Sequence, residues 1–372
     1  MKPIKVIVTG TRGIPDIQGG VETHCQELFP ILVQKGCEVT IIRRKPYIIL
    51  SNKIKEYKGV KLKDIYAPRF KSIEAFIHTF LAVIFARYKG ACILHVHAIG
   101  PSIMIPFARL LGLKVVMTHH GPDYERQKWG RFAKFILKLG ERFGVKCANK
   151  VIVISENIGS KIKAKYSRSD YILITNGVPA TEIDNATHYL EELEIKPLQY
   201  VFTLGRFVPE KGFDYLIRSF KNSGMEKQFK LVIAGDADHE SDYSKALKEQ
   251  ARAEGIILTG FIKGKKLRQL YTHARLFVLP SFYEGLPISL LEAMSYGLNI
   301  LASNIPANIQ VVLPESSFFI AGNESDLSAK IKGKLEKHFV TQTYDLTAYQ
   351  WENIAARTLE VYQDVNKPVE KK

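Results

Sequence analysis

The sequence predicts an α/β protein built from two doubly wound units, each alternating buried parallel strands with helices. Three observations carry that reading. Short β-branched apolar runs recur along the chain, each followed by a turn and a helical pattern, and the alternation starts twice. A length of 372 residues is long for one hydrophobic core and suggests about two domains. A turn signal, Asn176-Gly177-Val178-Pro179, followed by a polar, acidic stretch to Pro197, separates the two alternations.

The first strand is expected over residues 4–8 and ends in Thr9-Gly10. A glycine-rich turn then leads into a helix over 20–34, which Gly36 closes. Further strands are expected at 38–42, 60–66, 91–96, 114–118, 150–154 and 171–174. Helices fall at 73–88 and 101–111, and a long basic helix at 129–149. The second alternation places strands at 201–204, 230–234, 256–259, 276–279 and 299–302. Its helices are expected at 213–222, at 241–254 and between the later strands. A last helix over about 348–364 carries Ile354, Leu359 and Tyr362 at helical spacing, and the tail 367–372 reads as frayed.

Composition narrows the class. An apolar content of 46% with 24% charged residues is that of a soluble globular protein with ample material for a core. Cys25, Cys37, Cys92 and Cys147 form no CxxC pair, so buried reduced thiols are expected and metal ligation by them is not. The chain enters a strand almost at once, so no signal peptide is expected. The most apolar stretch, 73–88, is short for a membrane span and carries Glu74, His78 and Arg87. A cytoplasmic protein follows as the expectation.

Charge is distributed unevenly. Residues 1–180 hold 30 Lys+Arg against 12 Asp+Glu, a balance of +18, whereas 181–372 hold 23 against 25, a balance of −2. Such asymmetry implies a surface facing anionic lipid or nucleic acid, with solubility as the plain alternative.

The motif richest in chemistry is Ser281-Phe-Tyr-Glu284-Gly285-Leu286-Pro287-Ile288-Ser-Leu-Leu-Glu292. It follows an apolar strand, so the loop lies at a carboxyl edge, where open α/β sheets bind ligands. Pro287 suits the first turn of a helix, whose N–H groups make a phosphate site. Glu292 lies about two turns beyond Glu284, so the two carboxylates face different parts of a ligand. An N-cap acid with an exposed helix glutamate is the structural alternative. The second motif, Gly205-Arg206-Phe-Val-Pro-Glu210-Lys211-Gly212, sets a guanidinium and an ammonium five residues apart after a strand, suited to a diphosphate or to a solvated surface. The third, Gly10-Thr-Arg12-Gly13 through Gly19-Gly20-Val-Glu22, lacks the GxGxxG spacing of a dinucleotide fingerprint. The fourth is Thr118-His119-His120-Gly121-Pro-Asp123, continuing through Arg126 to Lys128-Trp129-Gly130. Adjacent histidines rarely converge on one ion and no third ligand is evident, so no metal is expected. Asp236-Ala-Asp238 has the form of a Mn²⁺ motif, but nothing else in the sequence asks for a cation.

Together these motifs resemble the retaining GT-B glycosyltransferases of family GT4, with the His119 to Gly130 stretch similar to a bacterial polysaccharide, rhamnosyltransferase-like subgroup. The resemblance covers nearly the whole chain; Cys37 stands where many relatives have His. It implies a GT-B fold, two Rossmann-like domains facing a central cleft, with the C-terminal helix crossing back onto the first domain. The domains are then 1–180 with about 348–372 on the acceptor side, and 181–347 on the nucleotide-sugar side. It places Glu284 on the donor-sugar hydroxyls and Glu292 on the ribose, with backbone of Gly285, Leu286 and Ile288 on sugar or phosphate. Arg206 and Lys211 would stabilise the leaving diphosphate. Gly19 and Gly20 would let backbone approach the phosphates, His120 would contact the sugar, and Phe261 lies where the base is read. Arg12 and Asp123 are acceptor-side candidates.

The implied activity is metal-independent, cofactor-free transfer of a hexose-type sugar from a nucleotide-sugar to a hydroxyl of a glycan acceptor, with retention by a front-face route. Domain closure about Asn176 to Pro179 would exclude water. The +18 balance points to a lipid-linked acceptor in cell-surface polysaccharide synthesis, an anionic membrane surface at the inner leaflet and no nucleic-acid partner, with Arg131, Lys134, Lys138 and Arg142 as lipid contacts. Two alternatives stay open. A nucleotide-sugar 2-epimerase of GT-B fold shares the architecture. A basic nucleic-acid-binding protein would need aromatic residues interleaved with the basic patch.

Overall fold

Each β-branched run becomes a strand of one of two parallel sheets. The computed structural model describes residues 3–68, 73–125, 130–178, 181–237 and 240–367; Pro179, Arg126, Lys128, Trp129, Asp238 and the tail beyond Lys367 lie outside them. The chain divides into two units, Met1–Gly177 with Ala348–Lys372, and Val178–Thr347.

The first unit holds β1 (Lys5–Thr9), β2 (Glu38–Arg44), β3 (Glu56–Tyr57), β4 (Val60–Ile65), β5 (Ile93–His97), β6 (Val115–His119), β7 (Lys150–Val153) and β8 (Ile172–Leu173). Their order across the sheet is β3-β4-β2-β1-β5-β6-β7-β8, parallel except for the β3–β4 pair. Helices α1 (Gly20–Gln34), α2 (Glu74–Tyr88), α3 (Ile105–Leu110), α4 (Arg131–Cys147) and α5 (Glu156–Tyr166) connect them. The second unit carries β9 (Tyr200–Leu204), β10 (Lys230–Ala234), β11 (Ile257–Leu258), β12 (Leu276–Leu279), β13 (Ile300–Ser303) and β14 (Phe318–Phe319) in the order β11-β10-β9-β12-β13-β14. Its helices are α6 (His188–Glu192), α7 (Phe213–Asn222), α8 (Asp242–Ala253), α9 (Gly264–Thr272), α10 (Ile288–Ser295), α11 (Pro306–Ile309) and α12 (Glu324–Glu336). The last helix, α13 (Trp351–Asn366), returns to the first unit and packs on α1.

In both sheets the strand order reverses beside the first strand, β1 or β9. Brändén-type crevices open at the carboxyl ends of such strands, and this positions every site described below.

Some elements differ from the sequence reading for local reasons. The helix expected over 101–111 is a 3₁₀ turn (Pro101–Met104) followed by α3, because Pro101 and Pro106 each open a fresh first turn. Pro287 precedes α10 as its N-cap with extended backbone and is not in its first turn. Helices α5 and α12 had signals the apolar pattern hid: Ser155 Oγ accepts from Ile158 N–H, and Asn323 Oδ1 from Asp326 N–H. In α12 Leu327, Ile331 and Leu335 recur every four residues and are buried.

Candidate functional site

In the second unit, the turn after β9 and the loop after β12 meet at the carboxyl edge of adjacent strands. Lys211 Nζ donates to Glu284 Oε1 at 2.5 Å, and Ser281 Oγ donates to the same oxygen at 2.6 Å. Both charged side chains are largely shielded, 16% and 11% exposed. The loops are tied through backbone as well, since Phe282 N–H donates to Glu210 O at 2.8 Å. Gly212 sits at φ +64°, and a Cβ there would lie 2.6 Å from Pro280 O, so only glycine lets the two loops approach. Arg206 follows β9 on the same turn, partly exposed.

Glu292 has a different environment. Its Oε2 accepts a 2.9 Å hydrogen bond from Tyr271, a fully buried phenol stacked on Tyr296 with ring centroids 5.1 Å apart. Burial raises the Tyr271 pKa and the Glu292 charge adds to it, so Tyr271 stays a donor at all ordinary pH. The two glutamates therefore rest on separate partners, one cationic and one phenolic. Leu286 and Ile288 bury their side chains at the start of α10. Gln310 Nε2 holds the Gly285 carbonyl at 3.2 Å. Phe261 follows the Gly235–Gly260 bridge with 45% of its surface exposed. Asp236 carries an ion pair to Lys248 at 2.8 Å.

In the first unit, the glycine-rich turn after β1 is locked by one buried carboxylate. Glu22 accepts from Thr11 Oγ1 (3.2 Å), Arg12 N–H (3.0 Å) and Arg12 Nε (3.2 Å). Arg12 also donates to the Gln18 carbonyl. Arg12, expected at the acceptor, thus holds the loop that precedes α1. Gly19 is sterically required by this lock: at φ +148° its Cβ would lie 2.1 Å from Glu22 Oε2. Gly20 has no such reason, because a Cβ there would meet nothing within 4 Å.

The two adjacent histidines separate sharply. His119 is buried, accepts Gly121 N–H on Nδ1 at 3.1 Å and directs Nε2 at Glu141 Oε1, 3.1 Å away. Because Nδ1 is an acceptor, Nε2 carries the proton. Burial would raise the Glu141 carboxyl, but hydrogen bonds from His119, Lys165 and Tyr166 outweigh it and bring the pKa down to about 2. His120 is partly exposed and lies 2.9 Å from His97 Nδ1 through Nε2. Asp123 is partly exposed in the 3₁₀ turn Asp123–Glu125.

Behind His120 lies a cluster the sequence reading missed. His24 meets Asn176 Oδ1 through Nδ1 at 3.0 Å and packs on Trp351 of α13. His95 bridges Tyr362 and Thr118 at 2.6 and 2.7 Å. Burial lowers the pKa of His24 to about 4 and of His95 to about 3, and those of His97 and His120 fall for the same reason. These are neutral imidazoles that bond by tautomer. Among the described residues, His24, His97 and His120 are the one group that could hold a metal ion, their ligand atoms lying within 4.8 Å of one another. The signal was present: His95 and His97 alternate on a strand and share one face.

Two family models match the chain, Glycosyltransferase Family 4 over residues 18–182 and Glycosyl transferases group 1 over residues 188–345. The chain is a group 1 glycosyltransferase. This glycosyltransferase is 24% identical over 383 residues to an uncharacterized glycosyltransferase of Methanocaldococcus jannaschii, covering 94% of this chain and 95% of that one. It is 27% identical to the UDP-Gal:alpha-D-GlcNAc-diphosphoundecaprenol alpha-1,3-galactosyltransferase of Escherichia coli, over 87% and 86% of the two chains. It is 23% identical to the GDP-mannose:cellobiosyl-diphosphopolyprenol alpha-mannosyltransferase of Xanthomonas oryzae, over 74% and 75%. Among solved structures, Anabaena HepE with UDP and glucose superposes with a TM-score of 0.78 at 16% identity, covering 97% and 100%. Sucrose-phosphate synthase of Thermosynechococcus elongatus gives 0.76 at 17%, covering 97% and 98%. The glycosyltransferase has the GT-B architecture, two Rossmann-like sheets. No helix among its described residues is long and apolar enough to cross a membrane.

Proposed function

We propose that this glycosyltransferase moves a hexose-type sugar from a nucleotide-sugar to a hydroxyl of a lipid-linked glycan, with retention of configuration and without a metal. The observation that carries the reading is the Lys211–Glu284–Ser281 constellation at the carboxyl edge of the second sheet. A shielded ammonium beside a carboxylate offers a diphosphate its countercharge and a sugar its hydroxyl acceptor in one place. In this reading Arg206 and Lys211 take up the charge that grows on the leaving diphosphate. Glu284 orients the sugar, Glu292 the ribose, and the departing phosphate helps deprotonate the acceptor hydroxyl.

His120, as a neutral imidazole, serves the sugar by hydrogen bonding and not by charge. Gly20 gives backbone room to an incoming phosphate, while Asp123 keeps the acceptor-side role that Arg12 loses to Glu22. The bacterial relatives named for diphosphoundecaprenol- and diphosphopolyprenol-linked acceptors support a lipid-linked acceptor, and an HepE structure with UDP-glucose supports the donor class. Membership of the rhamnosyltransferase-like polysaccharide subgroup, a cytoplasmic location on the inner membrane face and the absence of a nucleic-acid partner belong to the same proposal.

Product analysis tests it. Incubation with donor and acceptor in EDTA should give a product whose anomeric configuration by NMR equals that of the donor, at an undiminished rate. An inverted product, or a rate abolished by EDTA and restored by a divalent cation, would overturn retention or metal independence respectively. A sugar nucleotide epimerised in the absence of acceptor would favour the 2-epimerase reading instead.

A further inference from the structure

Helix α2 is apolar all round, a composition expected of a buried or lipid-facing helix, yet it lies at the surface. Ala82, Val83 and Ala86 face the sheet, while Phe76, Phe80, Ile84 and Tyr88 remain 44%, 40%, 43% and 81% exposed. Their spacing of four residues makes a single stripe. The stripe continues onto neighbouring helices. Strands β4 to β5, β5 to β6 and β6 to β7 all step the same way across the sheet, so right-handed crossovers set α2, α3 and α4 on one face. Phe80 stacks on Phe107 of α3 with centroids 5.4 Å apart, and α3 packs on α4. Leu110 is 83% exposed there, and Phe132 and Phe135 of α4 are 75% and 61% exposed.

Charge on this face has one sign. Arg87, Arg109, Arg131, Lys138 and Arg142 are exposed on these three helices. Their only carboxylates, Glu74 and Glu141, are buried and paired with Arg44 and with His119 and Lys165. A cavity beside α4 has Phe135 and Leu139 in its lining together with Lys138, Arg142, Lys146 and Lys165. Apolar side chains with a cationic rim and no outward anion complement an anionic lipid surface: rings enter the acyl boundary, and lysine and arginine reach the phosphates. A second copy of the same face would bring cation against cation.

We infer that the α2–α3–α4 face is a membrane-docking surface for anionic phospholipid, whose headgroup phosphate seats in the cationic cavity beside α4. The inference deepens the proposed lipid-linked acceptor and rests on that reading for its purpose, though not for its geometry. The test is flotation of the full chain with phosphatidylcholine vesicles, with and without phosphatidylglycerol.

Wild type should float with the anionic vesicles and stay behind with the neutral ones. Phe132→Ser with Phe135→Ser should lower the floated fraction about tenfold or more, and Arg131→Glu with Lys138→Glu likewise. Val312→Ser with Val340→Ser, an equally exposed apolar pair on the second unit, should float as wild type does. Failure of wild type to float on anionic vesicles, equal flotation of the phenylalanine variant, or dissociation of a dimer by that variant would overturn the inference. Melting shifts with a sugar nucleotide, measured on the same proteins, separate the two readings. Flotation without any such shift removes the transferase proposal and leaves the docking face; a shift without flotation removes the face alone.

Discussion

The two units share a plan, a parallel sheet that reverses order beside its first strand, but they use charge in opposite ways. The second unit is nearly neutral and concentrates its chemistry in the Lys211–Glu284 pair and in Glu292 on Tyr271. The first carries the +18 balance on its surface and keeps uncharged imidazoles inside, with His24, His95 and His97 all buried. Opposed charges at a sheet edge can meet a ligand that bears both phosphate and hydroxyls. Neutral histidines beneath a basic surface avoid adding further positive charge, and they bond through either tautomer. The comparison teaches that the chain separates a polar, charge-compensated donor region from a cationic unit whose interior polarity is purely structural, His120 aside.

The largest expected effect separates the units by pH. For His24 and His95 the folded pKa values, about 4 and about 3, lie below the ordinary 6.5. Their stabilisation is complete above pH 6.5 and is lost as pH falls towards 4 and 3, because the unfolded chain takes up protons that the folded cluster refuses. The Glu141 carboxylate, held near 2, continues the loss in the same direction below its ordinary 4.5. Urea unfolding of the first unit, followed by Trp351 fluorescence, should therefore lose on the order of several kcal/mol between pH 7 and 4. A first unit as stable at pH 4 as at pH 7 would break the contrast.

A smaller effect distinguishes the two neighbouring glycines. Gly19→Ala drives a Cβ into Glu22 and Arg12 at a backbone angle alanine resists, and should cost about 2–4 kcal/mol of stability. Gly20→Ala places its methyl in open space at the start of α1 and should change stability by less than about 1 kcal/mol, while weakening sugar-nucleotide binding. Equal destabilisation by both, read from thermal melts, would mean that the second glycine also serves the fold.

Much of the architecture was legible in the sequence because parallel strands buried on both sides read as continuous apolar runs. The two-glutamate loop was legible too, because its chemistry is local: Glu284, Pro287 and Glu292 fall within one loop and one helix. What escaped was long-range. Glu22 locking Arg12 requires the turn to fold back onto α1. The histidine cluster unites α1, β5, the residue after β6 and α13, which no window of sequence spans. The outward stripe of α2 escaped for a different reason, since an all-apolar helix does not announce which face it buries.

The central claim is that the second unit holds the donor through Lys211 and Glu284, and melting with a panel of UDP-, GDP- and dTDP-sugars tests it most directly. At least one sugar nucleotide should raise the melting temperature of wild type, as any ligand of the folded state must. Lys211→Ala and Glu284→Gln should each abolish that rise while flotation on anionic vesicles stays as in wild type. No rise with any donor, or a full rise surviving both substitutions, would contradict the account.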